Sequence, residues 1–356
     1  MKKLLLFISC LLLTTTLFAC TKDNYQLIEI EYNTYLDTTI SVVVEYNSKN
    51  TKKDQIENEL KSNISNILNN VSKEFSATSD STLQQIHNNA GLLNDDNTYK
   101  YTTVSKEFMS ILKIALEMGL SFENKYFNIA AEPLNALWKN TQTLPTDEAI
   151  QNALQLSNTD NIIIDSDNSL VYLKEQGMKL NFASLINGYT ATQIKNLLNE
   201  KAYSYFYITV GNCIYTEGSS KYYSQTVEKK HTYLTDPFEN ENSFMKINVE
   251  NYFISTISKS QNYTLIDGVK YSHIINPQTG YPTDNSIQSI TVLGNNGQIT
   301  DLIAINCYGM TIAGAMNFIA EQGFKGIIVT RSKNIYIVGN FEYELLNSEY
   351  KIAERK

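Results

Sequence analysis

Tyr271-Ser272-His273-Ile274-Ile275-Asn276-Pro277-Gln278-Thr279-Gly280-Tyr281-Pro282 is the stretch on which the reading of this chain turns. One imidazole is followed at once by a run of turn formers, and Pro277 with Gly280 excludes a helix through it. Pro277 fixes one dihedral and Gly280 permits a positive one. The reading therefore expects a turn that offers backbone N–H groups and the Thr279 hydroxyl to an anionic ligand. On residue chemistry alone, His273 stands equally as a satisfied, partly buried imidazole and as a catalytic group that titrates near neutral pH.

Outward from that turn, the apolar residues change period along the chain. Ile56, Leu60, Ile64, Ile67 and Val71 recur at helical spacing. Ser105 is placed to cap a second helix carrying Phe108, Ile111, Leu112 and Leu116. Thr146, followed by Asp147 and Glu148, opens a third, where acidic side chains suit the helix N-terminus. Apolar runs at 40–46, 162–164, 203–210, 287–293, 327–330 and 335–338 read as strands, several of them buried on both faces. The class is mixed α and β. No internal repeat and no long Pro/Gly linker divides the chain, so 35–340 is expected to be one domain.

The two ends read differently. Lys2 and Lys3 precede an apolar run at 4–13 that is too short to span a bilayer, and Leu17-Phe18-Ala19-Cys20 then gives way to polar Thr21-Lys22-Asp23-Asn24. Residues 1–19 are expected to be a signal peptide, and the small-residue-then-cysteine pattern resembles a bacterial lipoprotein cleavage site with Cys20 taking the lipid. The mature chain would then sit on the outer face of the cell membrane, with 20–34 as a tether. The stretch 341–356 loses its apolar pattern and is expected to be a charged, poorly ordered tail.

Composition bounds the rest. With 42% hydrophobic and 19% charged residues, 356 residues can bury a sizeable core. A net charge of −8 argues against a nucleic-acid partner, which calls for clustered Lys and Arg. Once Cys10 leaves with the signal and Cys20 carries lipid, only Cys213 and Cys307 remain, so no cysteine-based metal framework is possible. A 213–307 disulfide and two buried thiols both remain open, and the apolar surroundings favour thiols. The three histidines, His87, His231 and His273, would all have to converge to make a zinc site.

The stretch 271–282 is similar to the His-Ile-x-Asp-Pro-x-Thr-Gly signature of the FAD:protein FMN transferase family, and further motifs follow in order. Leu36-Asp37-Thr38-Thr39-Ile40 resembles that family's first strand, and Phe75-Ser76 with Ser81 and Leu83 its serine-containing loop. Phe127, Pro133-Leu134 and Leu137-Trp138 resemble the block after its second helix. Asn187-Gly188-Tyr189 stands for Lys-Gly-Tyr, Gly211-Asn212 for Gly-Gly-Asn/Glu, Ser255-Thr256 with Ser258 for a Thr-Ser-Gly region, and Asp301 for the acid of Ala-Asp-x-x-x-Thr. The resemblance implies an α+β fold with a largely antiparallel sheet flanked by helices. It also implies transfer of FMN from FAD to a Ser or Thr hydroxyl of an exported FMN-binding redox protein, with AMP released and Mg2+ assisting. His273 would be the catalytic base. Asn187, Gly188, Tyr189, Gly211, Asn212, Thr256, Ser258, Thr279 and Gly280 would hold the flavin nucleotide. Asp301, the Ile186 backbone carbonyl and the position of Ile305 would hold the metal.

This sequence departs from the pattern at several of those positions. Ile305 cannot ligate a hard cation. The Gly-Gly pair reads Ala183-Ser184, the lysine is Asn187, Asn128, Asn181 and Asn276 each stand for an acid, and Val210 stands for a glycine. The losses keep a second function open: a catalytically degenerate flavin- or partner-binding lipoprotein on the same scaffold. A third is an unrelated solute-binding lipoprotein of a transporter, which would show two hinged lobes. Trp138, His87 and His231 are expected to be structural or surface residues.

Overall fold

The computed structural model describes residues 24–35, 38–121, 126–139, 141–224, 231–239, 241–259 and 263–353. Residues 1–19, Cys20, and Leu36 with Asp37 lie outside the described residues. The N-terminal half runs β1 (Tyr25–Tyr35), β2 (Thr38–Asn47), α1 (Lys53–Phe75), α2 (Thr82–Asn89), β3 (Thr102–Thr103), α3 (Lys106–Ser121) and α4 (Glu132–Trp138). Then come α5 (Asp147–Leu156), β4 (Ile162–Asp165), β5 (Leu170–Leu173), α6 (Ala183–Glu200), β6 (Phe206–Val210), β7 (Cys213–Glu217) and α7 (Lys221–Ser224). β8 (Thr232–Thr235), β9 (Ser243–Asn248), β10 (Tyr252–Ser258), β11 (Tyr263–Ile266), β12 (Val269–Ser272) and β13 (Ile287–Gly294) follow. The chain closes with α8 (Gly297–Gly309), α9 (Ile312–Glu321), β14 (Lys325–Thr330), β15 (Asn334–Val338), β16 (Glu342–Leu345) and β17 (Lys351–Ile352).

Nine strands make the main sheet in the order β1-β2-β6-β7-β10-β13-β14-β15-β17. Every pairing in it is antiparallel except β15 with β17. The expected class is thus the observed one. β13 is buried along its whole length, on both faces, because helices cover one side and the small β16-β9-β8 sheet covers the other. The expected caps are present: Ser105 Oγ accepts the Phe108 N–H at 2.9 Å, and Thr146 Oγ1 accepts that of Ala149 at 3.2 Å. On α1 the fully buried stripe is Ile56, Leu60, Ile64, Leu68, Val71 and Phe75, with Ile67 only partly buried.

Both ends differ from expectation. The supposed tether is, from Tyr25 on, the edge strand β1, registered on β2 over its length. Ile28 and Ile30 alternate with the exposed Glu29 and Glu31 and are buried in the core, with Tyr32 and Tyr35 packed against it. That period of two is hidden by the polar residues between them. The supposed tail supplies β16 and β17, and Tyr350 is 2% exposed, its hydroxyl donating to Asp236 at 2.6 Å. Backbone pairing and one buried aromatic hold this segment in place of an apolar run. Cys213 and Cys307 are buried free thiols.

Two helices position the centre of the molecule. α8 is apolar nearly all round and buried at almost every position, lying between two core clusters. It approaches α6 so closely that a Cβ built on Gly188 would meet the Gly297 carbonyl oxygen at 2.2 Å, and one on Gly297 would meet that of Gly188 at the same distance.

Candidate functional site

Asp301 occupies the cleft that this close approach creates. It is 1% exposed, and its Oδ2 accepts the Gly188 N–H at 2.7 Å. Burial pushes its carboxyl up to about 7, while hydrogen bonds from the Ser255 hydroxyl and the Gly188 N–H pull the other way. The second oxygen, Oδ1, is buried with no well-formed hydrogen bond among the described residues.

From Asp301 a chain of donors leads back across the sheet. Asn187 Nδ2 donates to Asn212 Oδ1 at 2.5 Å, Asn212 Nδ2 donates to Ser255 Oγ at 3.2 Å, and the Ser255 hydroxyl stands beside the carboxyl and lowers its pKa. Gly211 makes the first link possible. Its φ is +54°, and a Cβ there would stand 2.4 Å from Thr38 Oγ1 and 2.7 Å from Asn187 Nδ2. The structure thus brings Asn187 and Gly188 of α6, Gly211 and Asn212 of the β6–β7 turn, Ser255 of β10 and Asp301 of α8 to one place.

Other residues read as members of the site lie elsewhere. Thr256 and Ser258 alternate with Ser255, so they lie on the far face of the sheet; Thr256 pairs with Thr291, their hydroxyls 2.9 Å apart. Ser255, which the motif contains but the sequence reading does not assign to the site, is the residue of β10 that joins this cluster, and the parity of β10 relative to α8 is the signal that identifies it. Tyr189 is turned about 200° around α6 from Asn187. Its ring meets Phe75 edge-on, centroids 5.9 Å apart, and burial raises its hydroxyl.

His273, Thr279 and Gly280 form a second, separate group. His273 is exposed, one residue past β12. The turn beyond it is closed internally: Asn276 Oδ1 accepts the Gln278 N–H at 2.9 Å, the Asn276 carbonyl accepts the Gly280 N–H at 2.8 Å, and Thr279 Oγ1 accepts the Tyr281 N–H at 3.3 Å. The expected row of free donors for an anion is therefore largely spent, because Asn276 collects it. Gly280 has φ +77°, packs against Leu134, Ile150 and Leu154, and its carbonyl takes the Trp138 indole N–H at 2.8 Å. Trp138 is core, as expected. His87 is also structural: Nε2 accepts the Leu180 N–H at 2.9 Å, and burial drives the imidazole down to about 4. Pro277 and Gln278 border a cleft of about 130 Å³ that Leu116, Phe127 and Asn128 also line.

The residues present do not fit a resident magnesium ion. A hard cation takes about six oxygens, and at Asp301 one carboxylate oxygen is already engaged. The Ile186 carbonyl lies inside α6 and also accepts the Thr190 hydroxyl at 2.8 Å. Replacement of Gly-Gly by Ala183-Ser184 lets α6 run through these positions. Ile305 packs into the apolar clusters on either side of α8. No group of three or more His, Cys, Asp or Glu that could hold a metal occurs among the described residues.

The model of the ApbE family matches residues 36–328. A Klebsiella pneumoniae (strain 342) protein named FAD:protein FMN transferase is 23% identical over 259 residues, covering 71% of this chain and 78% of that protein. An Escherichia coli (strain K12) protein of the same name is 22% identical over 211 residues, 56% of this chain and 58% of that one. Among solved structures, the flavin transferase ApbE from Vibrio cholerae superposes with a TM-score of 0.73 at 17% identity, covering 88% of this chain and 98% of that one. The ApbE protein from Thermotoga maritima gives 0.74 at 18% identity, covering 88% and 97%. These two likenesses establish the fold.

Proposed function

This chain belongs to the ApbE family, and on that premise we propose that it is a flavin transferase, moving FMN from FAD to a Ser or Thr hydroxyl of an exported FMN-binding redox protein. Membership removes the reading as an unrelated solute-binding lipoprotein. The observation that carries the proposal is the family match across 36–328, which contains every residue of the Asp301 cluster and the His273 turn.

In the reaction, the acceptor oxygen forms a bond to the phosphorus of the FMN half, the bond from that phosphorus to the bridging pyrophosphate oxygen breaks, and AMP departs with the bridging oxygen. The hydroxyl proton needs an acceptor, and His273, exposed just past β12, is the side chain this chain offers a protein substrate. The amides of Asn187 and Asn212 and the backbone of the β6–β7 turn are neutral groups, which orient a dianionic pyrophosphate by hydrogen bonding and leave its charge largely uncompensated. Magnesium would supply that compensation in the family pattern, but the donor set around Asp301 does not fit one.

Cys20 is proposed to carry the lipid after removal of residues 1–19, placing the chain on the outer face of the cell membrane. β1 begins at Tyr25, five residues beyond Cys20, so the anchor would keep that strand within about 17 Å of the bilayer surface. No helix of the described residues is long and apolar enough to cross a membrane.

Incubation of the full-length chain with FAD, magnesium and an FMN-binding acceptor domain tests the reading. The expected result is an acceptor heavier by one FMN and an equal amount of AMP, both absent with His273→Ala. The apolar Ile305 and the engaged Ile186 carbonyl favour a second reading, a flavin-binding lipoprotein without turnover. It would bind FAD with no AMP. A chain that neither transfers FMN nor binds FAD, beside a working control enzyme, would remove both.

A further inference from the structure

We infer that this chain holds no resident divalent cation at Asp301, and that the carboxyl group instead anchors α6, the β6–β7 turn, β10 and α8 to one another from inside. Three observations lead there. First, Asn187 donates to Asn212 and Asn212 to Ser255, the Ser255 hydroxyl stands beside the carboxyl and lowers its pKa, and the Gly188 N–H donates to Asp301 Oδ2. The acceptor is thus served by the protein itself.

Second, the surroundings exclude the rest of a coordination sphere. The helix position one turn on is Ile305, seated in apolar packing, and the Ile186 carbonyl is occupied within α6 by Thr190. Third, a cation at Oδ1 would have to shed nearly all its water at a residue 1% exposed, with one free protein oxygen in return. Of the other unpartnered buried oxygens on α8, the Tyr308 hydroxyl is about two turns on, while Gln298 Oε1 is only one turn toward the N-terminus. It is the alternative donor that a test must include.

The inference leans on the flavin-transferase reading only for its nucleotide arm. The full-length chain, in mild detergent, is titrated with Mn2+ while free Mn2+ is read by electron paramagnetic resonance. FAD affinity is measured separately in EDTA and in millimolar Mg2+. The expected outcome is no saturable Mn2+ site, and FAD dissociation constants that agree within about twofold. A one-to-one Mn2+ site lost in Asp301→Asn or in Gln298→Leu would overturn the inference. So would FAD binding that tightens about tenfold with Mg2+ in the parent chain. The Mn2+ titration of the parent chain decides the matter even if either variant fails to fold. FAD bound in neither buffer, with Mn2+ also unbound, would remove the flavin reading and leave the inference standing.

Discussion

Around Asp301, residues drawn from positions 187 to 301 share one hydrogen-bonded chain beneath the sheet, whereas around His273 the residues of 276–281 close on themselves at the surface. The first arrangement needs four elements in register before all of its bonds exist. The second is complete within a single turn. A buried long-range network couples its geometry to global stability, while a locally satisfied turn can carry an exposed imidazole at little cost to the fold. Chemistry placed on the turn should therefore be separable from stability, and chemistry placed at Asp301 should not.

The largest effect expected on that comparison comes from Gly188→Ala. The new methyl would lie 2.2 Å from the Gly297 carbonyl oxygen and 2.8 Å from Asp301 Oδ2, so α6 and α8 must part. Both partners are fixed, one of them backbone, and a loss of about 3 kcal/mol or more is expected. Thermal denaturation by circular dichroism reads it, and an unchanged melting temperature would show that the helices are not held as described.

Asp301→Asn tests the same centre through pH. The folded-state carboxyl titrates at about 7, above its ordinary 3.8. Between those values the folded chain keeps a proton that the unfolded chain has lost. Stability conferred by the protonated form is therefore present below about 4, declines as pH rises toward 7, and is flat beyond. The total decline is on the order of a few kcal/mol. Asn cannot ionise and still offers an oxygen to the Gly188 N–H, so melting temperatures of the variant should fall less between pH 5 and 8. Parallel profiles for the two chains would mean that Asp301 is not the titrating group.

How much of this was legible in the sequence follows from the same contrast. The turn at 276–281 could be read because its determinants, Asn276, Pro277 and Gly280, are adjacent, and the strands and capped helices could be read because period and cap are local. The relay could be read only in part. Asn187, Gly188, Gly211, Asn212 and Asp301 were singled out by likeness to a family, but Ser255 was passed over for Thr256 and Ser258, because which residue of β10 faces α8 is decided by the parity of a strand whose neighbours lie far away in sequence. The same limit hid β1, where Ile28 and Ile30 are the only deeply buried residues, and the C-terminal strands, which are held by pairing and by Tyr350. It also concealed that the N–H groups of the Pro277 turn are spent internally, since composition reveals donors and not their partners.

A smaller effect is expected at the seam between the turn and the core. Trp138→Phe removes the indole N–H that the buried Gly280 carbonyl accepts at 2.8 Å, and leaves much of the ring packing with Tyr271 and Tyr281 in place. The unpartnered carbonyl should cost about 1–3 kcal/mol. Urea unfolding measures it, and a loss matching that of Gly188→Ala would make the turn as integral to the fold as the Asp301 cluster, dissolving the distinction drawn above.

The smallest effect on stability, and the sharpest division between the two regions, belongs to His273→Ala. The imidazole is exposed. Removing an exposed side chain of this kind shifts stability by about 0.5 kcal/mol or less, so urea midpoints of parent and variant should coincide. FAD affinity should also persist, because the nucleotide is assigned to the Asn187–Asn212 side of the molecule. FMN transfer should fall by at least about a hundredfold, the usual contribution of a positioned base. A variant that transfers FMN at the parental rate would remove His273 from the chemistry, and one that loses transfer only because it unfolds would show that the turn is not the independent unit its closed hydrogen bonding describes.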